Sequence, residues 1–294
     1  MEGAGSWCTT AGMGKLHACF FVALTALAAC GDDGGAKPID AAVDVAVDSK
    51  VFMDAPPPMF DFTCMGNAAP TMASANITLT GSVTKVALNG ITPQFNDLEG
   101  ATVKGCAVGT ACMGQDLHDT DTSAADGSFT LGPISTSMAP LDAYISMTEN
   151  TSRPTYTYPA QPFVADQGNI PILTFDPTLI ALLSNLGCTQ NDNTNGIVGL
   201  AVTDCADMPI TDTANLTLSV KQGGNQVSGT DEVNLGDLSM QAAGTFLICN
   251  VPANAGTTTT EVGATYNGMM LRAHSVKVVA GATTSTLLRP GYPN

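Results

Sequence analysis

The sequence predicts an all-β protein: two tandem Greek-key-type β-sandwich domains joined by a short helix, behind a disordered N-terminal tether. Three observations predict it. Thr, Ala, Gly and Val abound while aromatics make up 5% of the chain, a composition that favours short strands joined by turns. Apolar and polar residues alternate at period two in several segments, as half-buried strands require. Turn pairs such as Asp126-Gly127 and Asn267-Gly268 punctuate those segments, and such pairs tolerate the left-handed backbone that tight turns need. A chain of 294 residues leaves room for two ordinary domains once a leader and a linker are subtracted.

The leader is expected over residues 1–29. From Ala18 to Ala29 runs an uncharged stretch of Ala, Cys, Phe, Val, Leu and Thr preceded by Lys15, the pattern of a signal-peptide apolar region. It is shorter than the roughly 20 residues of a membrane span. Residues 1–12 are polar and unlike a basic leader start, which points to Met13 as the true beginning. The stretch Leu27-Ala28-Ala29-Cys30 resembles the bacterial lipobox. That resemblance implies cleavage before Cys30, which becomes the first residue and carries thioether-linked diacylglycerol. Several acyl chains together give stable anchoring. The residue after the lipidated cysteine is Gly31 rather than the Asp that favours inner-membrane retention, so by the same resemblance the expected address is the outer membrane.

Residues 30–63 read as a tether. Asp32, Asp33, Asp40, Asp44, Asp48, Asp54 and Asp61 surround small apolar residues and the run Pro56-Pro57-Pro58, which makes a solvated, self-repelling spacer. The formal charge of −16 is unchanged by leader removal, because Lys15 and Glu2 cancel. Such a surface repels phosphate backbones and anionic lipid. Nucleic acid is therefore excluded as a partner, and membrane attachment has to come through the lipid anchor.

The first sandwich is expected over 64–173. Strands are read at Asn76 to Leu88, with Gly81 a bulge, at Ala101 to Val108, at Ser128 to Leu131, at Leu141 to Met147 and at Thr155 to Tyr158. Within it, Gly81-Ser82-Val83-Thr84, Leu98 to Val103 and Thr120 to Leu131 resemble the carboxypeptidase regulatory-like, or transthyretin-like (prealbumin-like), sandwich. In that family Gly-Ala-x-Val opens the second strand, and Thr-Asp followed by Asp-Gly-x-Phe forms the next hairpin. The resemblance implies structural or recognition work rather than catalysis.

A helix is read over 174–188. Asp176 caps it, Pro177 takes the first helical position and Gly187 stands where it ends. Leu179, Leu182, Leu183 and Leu186 make one apolar stripe, expected to pack between the sandwiches. The second sandwich, over 189–294, has strands at Gly196 to Cys205, Ala214 to Val220, Gly244 to Pro252, Thr258 to Tyr266, Met269 to His274, Val276 to Val279 and Thr283 to Leu288. Its order of strand, Asp-Cys, strand, Gly-x-Phe and Val-Pro resembles the same family more faintly, so the pair is read as a diverged tandem.

Beyond the leader and Cys30, the cysteines Cys64, Cys106, Cys112, Cys188, Cys205 and Cys249 are an even set in an oxidising compartment, where disulfides form. Fifteen connectivities are open; the pairs expected are Cys106 with Cys112, Cys205 with Cys249 and, by elimination, Cys64 with Cys188. No nucleophile elbow, phosphate loop, dinucleotide fingerprint or zinc motif occurs. His118, Asp119, Asp121 and Asp126 invite a metal reading, as do Met269, Met270 and His274 for copper; ordinary turn chemistry and core packing explain both sets better. The expectation is a non-catalytic envelope lipoprotein, without cofactor or metal, that binds protein or glycan. The alternatives are a hydrolase built on two carboxylates with shifted pKa values in a cleft and a metal-handling lipoprotein.

Overall fold

The computed structural model describes residues 60–89, 92–110, 112–237 and 243–292. The expected signal peptide, Met13, Cys30 and the expected tether up to residue 59 lie outside the described residues. In chain order the first strands are β1 (Asn76–Asn89), β2 (Thr92–Asp97), β3 (Thr102–Ala107), β4 (Leu117–Thr122), β5 (Ser128–Ser135), β6 (Ala143–Thr148), β7 (Thr155–Tyr158) and β8 (Gln167–Phe175). Helix α1 (Pro177–Leu183) follows, and then β9 (Asn195–Val202), β10 (Leu216–Gln222), β11 (Asn225–Gln226), β12 (Asp231–Asn234) and β13 (Thr245–Pro252). The last strands are β14 (Thr260–Tyr266), β15 (Met269–Met270), β16 (His274–Val276) and β17 (Thr283–Leu288).

The strands make three sheets. An eight-stranded sheet runs β12-β13-β9-β17-β7-β6-β3-β4; a four-stranded sheet runs β2-β1-β5 with β8 along the other side of β1; a five-stranded sheet runs β11-β10-β14-β15 with β16 on β14. Residues directly opposite in a ladder point to the same face. The row Ser146, Tyr156, Thr284, Val198 and Ile248 therefore shares one face of the large sheet, and Met147, Thr155, Thr283 and Ile197 share the other. On the first face Val198 and Ile248 pack with Val220 and Val262 of the five-stranded sheet. On the second, Met147 packs with Ile77 and Leu79 of the four-stranded sheet, and Ile197 packs with Val86, Phe175, Leu179 and Ile180. The protein is all-β with two sandwiches, and they share the eight-stranded sheet while covering opposite faces of it.

The helix is consequently one joint of two. β17, at the end of the chain, lies parallel between β9 and β7 and continues the sheet from one half into the other. α1 has the expected Asp176 cap, whose side chain accepts from the Thr178 amide at 2.9 Å, and after one 3-10 turn it ends at Gly187 with φ +88°. Its buried face is Leu179 with Ile180, while Leu182 and Leu183 pack at the margin of the same core. Leu179, Leu182 and Leu183 of the predicted stripe thus pack in this core, and Ile180 joins them.

β8 carries Pro171, which argues against a strand when read alone. It is an edge strand parallel to β1, where a missing N–H is tolerated. The ladder shifts register between Leu79 and Gly81, and a Cβ on Gly81 would stand 2.1 Å from the Ile170 carbonyl oxygen. The bulge-forming role read for Gly81 is thus a close backbone approach between β1 and β8.

Two of the three expected disulfide pairings are corrected. Cys106 bonds Cys112 as expected, but Cys64 bonds Cys205 and Cys188 bonds Cys249. Cys188 leaves the helix on the face of the large sheet where Cys249 and Leu247 are buried. Cys64 belongs to a strap that runs back over the second half instead of the sandwich that follows it. The Asp61 amide donates to Asp204 Oδ2 at 2.8 Å, the Cys205 amide donates to the Asp61 carbonyl at 2.8 Å, and Asn67 Nδ2 donates to the Tyr292 carbonyl at 2.9 Å. Phe62 stacks on Tyr266 at 5.7 Å between centroids. The packed body therefore starts by Phe60, a few residues before the expected tether boundary.

Candidate functional site

A cavity of about 240 Å³ opens where the two halves meet. Its ionisable lining comes from four places in the chain: Asp142 just before β6, Tyr158 at the end of β7, Arg272 and His274 from the segment that enters β16, and Tyr292 near the end of the described chain. Ala273 and Ser275, exposed, form part of its rim. The parallel insertion of β17 brings β7 and the β16 region together here, so neither half holds this lining alone.

Arg272 is fixed by its surroundings. Its amide donates to the Arg289 carbonyl at 2.9 Å, its guanidinium carbon sits 4.2 Å from the centroid of the Tyr292 ring, and Nη1 donates to the Tyr292 hydroxyl at 3.4 Å. Nε and Nη2, which form the fork that grips carboxylates in bidentate fashion, are buried without a partner. Burial pushes the Asp142 carboxyl up from its ordinary value, and the Arg272 charge pulls it part of the way back. Tyr158 accepts from the Lys277 amide at 2.9 Å and stacks on Tyr144 at 5.0 Å; burial raises its hydroxyl pKa.

His274 is 8% exposed. Nδ1 lies 3.1 Å from Thr286 Oγ1, and Nε2 is buried without a partner. Burial first, and then the Arg272 charge, push its pKa down to about 3. The folded state thus holds His274 neutral while the unfolded chain protonates it below its ordinary 6.5. The stability held by neutral His274 is complete above that value and is lost as pH falls through the window toward 3. At about 1.4 kcal/mol per pH unit, acidification from pH 6.5 to 5 is expected to cost about 2 kcal/mol. Asp142, raised on folding, contributes with the opposite sign. Urea midpoints against pH test this: His274→Gln should flatten the loss between pH 6.5 and 5, and a slope equal to wild type would show that His274 is not the group involved.

The other residues singled out by sequence are dispersed. Asp121 Oδ2 accepts from the Thr130 amide at 2.7 Å and Asp119 Oδ2 from the Gly132 amide at 2.5 Å, so both carboxylates on β4 latch the free edge of β5 and tie two sheets together. Asp126 accepts from the Ser128 amide at 3.0 Å and holds its own turn. His118 is part-buried, its pKa lowered by burial. Met269 packs against the core whereas Met270 is 78% exposed, so Met269, Met270 and His274 do not converge. Among the described residues no group of three or more His, Cys, Asp or Glu side chains is placed to hold a metal ion. Glu232, whose carboxyl burial also raises, lies on β12 with four strands between it and β6, far from Asp142. The cavity itself left no mark in the sequence: Arg272, Asp142 and Tyr292 belong to no motif, and His274 was noticed for a different reason.

Fold and site together define a disulfide-stapled, all-β protein whose two fused sandwiches flank an open cavity of mixed polar and apolar lining. No family model and no curated protein matches the chain. Among solved structures, it is similar to catechol 1,2-dioxygenase from Pseudomonas arvilla C-1 at 11% identity and TM-score 0.23, covering 38% of this chain and 55% of that one. It is similar to the Bacillus anthracis TIE protein at 11% identity and TM-score 0.22, covering 74% of this chain and 34% of that one. The shaft pilin SpaA from Lactobacillus rhamnosus GG gives 14% identity and TM-score 0.22 over 76% and 99% of the two chains. The chain thus spans about half of the dioxygenase and a third of the TIE protein. Likeness at these scores carries no argument about activity.

Proposed function

We propose that this chain is a lipid-anchored protein of the bacterial cell envelope, held to the outer membrane through Cys30, whose β-sandwich body binds or supports other envelope components without turnover. The observation that carries the proposal is the state of the cysteines. All six in the described body are paired in disulfides, the condition of an exported protein, and Cys30 sits in the lipobox-like stretch ahead of them. The non-catalytic reading is supported by the separation of the two carboxylates that burial raises, Asp142 and Glu232. Intact mass of the protein purified from membranes, beside a Cys30→Ala version, tests the proposal. Acyl mass on Cys30 and a gain of six hydrogens on reduction are expected; an unlipidated protein with free thiols would overturn it.

A further inference from the structure

Among the described residues the large apolar side chains left exposed are Met65, Met72, Met113, Met138, Met208, Met270 and Phe95. The surface thus excludes nearly every large apolar residue except the thioethers. Met147 is fully buried and Met269 packs against the core, the usual employment of methionine. Three of the exposed methionines stand beside half-cystines: Met65 follows Cys64, Met113 follows Cys112, and Met208 lies three residues after Cys205. Local hydrogen bonds fix two of them there. The Met65 amide donates to the Phe62 carbonyl at 3.0 Å, on the turn whose Cys64 amide donates to Cys205 Sγ at 3.0 Å. The Met208 amide donates to Asp204 Oδ1 at 2.9 Å, across the turn that holds Cys205. The bonds flanked in this way are those with a cysteine toward solvent, since Cys205 is half-buried and Cys112 is 9% exposed. In the third bond Cys188 and Cys249 are both fully buried, and no methionine lies within three residues of either.

From this arrangement we infer that Met65 and Met208 guard the Cys64–Cys205 bond, and Met113 the Cys106–Cys112 bond, as sacrificial thioethers that take up hypohalous acids before the disulfides do. With hypochlorous acid the O–Cl bond breaks and an S–O bond forms on the methionine sulfur. Two electrons pass from sulfur to chlorine, and chloride and the proton go to water. The product is a polar sulfoxide, which at an exposed position is solvated and leaves the core as it was. The inference is independent of the lipid anchor and of any ligand. Titration of the purified full chain with hypochlorous acid, followed by peptide mass mapping without reduction, tests it. At the lowest doses one oxygen each is expected on Met65, Met113 and Met208, with both bonds intact and the buried Met147 unoxidised. Met65→Leu/Met208→Leu removes both thioethers at nearly constant volume and should raise loss of the Cys64–Cys205 bond at a fixed dose about threefold or more, with Cys106–Cys112 unchanged. Met113→Leu should give the reverse pattern. Met72→Leu/Met138→Leu, which takes as many exposed thioethers from segments without a cysteine, should match wild type; circular dichroism shows the variants folded. Disulfide oxidation ahead of the three methionines, equal bond loss in wild type and the Met65/Met208 variant, or an equal increase in the Met72/Met138 variant would overturn the inference.

Discussion

Removing the Cys64–Cys205 disulfide as a Cys64→Ala/Cys205→Ala pair is expected to lower stability by about 4–5 kcal/mol, or about 10–15 °C in Tm for a body of this size. The bond spans 141 residues of sequence, and a cross-link over so long a loop removes much of the entropy of the unfolded chain. It also holds the strap at Phe60 to Asn67 against the second half, so its loss frees the Phe62 stack on Tyr266 and the Asp61 contacts with Asp204 and Cys205. Denaturant unfolding of the oxidised proteins gives the magnitude, and thiol titration gives the connectivity. With Cys188 bonded to Cys249, the double variant has no free thiol in its body. Two free thiols would instead mean that Cys205 pairs with Cys249 and Cys64 with Cys188.

Truncation before β17 is expected to abolish cooperative folding of both halves, an effect on the order of the whole 5–15 kcal/mol that holds a domain together. Ladder bonds to β9 on one side and β7 on the other are lost together. Two sheet edges open inside the core, and the packing around Leu288, fully buried against Val198, Leu200 and Tyr158, goes with them. Calorimetry and limited proteolysis of the truncated protein check this. Two independent sandwiches would leave a protease-resistant first half with its own transition; a shared sheet leaves none.

Much of the secondary structure was legible. β3, β5, β9 and β13 stand within a few residues of where alternation placed them, since a strand with one face in a core repeats every second residue whatever its neighbours are. The helix cap at Asp176 and the hairpin at Asn267-Gly268, whose two residues have positive φ, follow from interactions within a few bonds. β8 was hidden by Pro171, because a proline disqualifies a strand except at an edge, and edge position is a property of the sheet. β2 and β12 carry no apolar alternation strong enough to separate them from loops.

Among the candidate residues the sequence named cysteines but not partners, and aspartates but not their use. Cys205 and Cys249 fall in the same expected sandwich, which favoured the wrong partner; Cys64, 141 residues from Cys205, reaches it because the strap lies against the second half, with Phe60 and Phe62 on Tyr266. Asp119 and Asp121 have the composition of a metal loop, and only the position of β5 beside β4 shows that amide donors claim them.

By itself the sequence determined the all-β class, most strands, the helix and its cap, and an even set of cysteines able to pair, because each of these depends on local periodicity, turn chemistry or composition. The tertiary structure decided that the sandwiches share one sheet, which cysteines meet, and that Arg272, His274 and Asp142 line a common cavity. Those outcomes depend on contacts between residues from about sixty to more than a hundred positions apart, and the free energy that selects them is burial and strand pairing summed over the whole body, which no local pattern encodes.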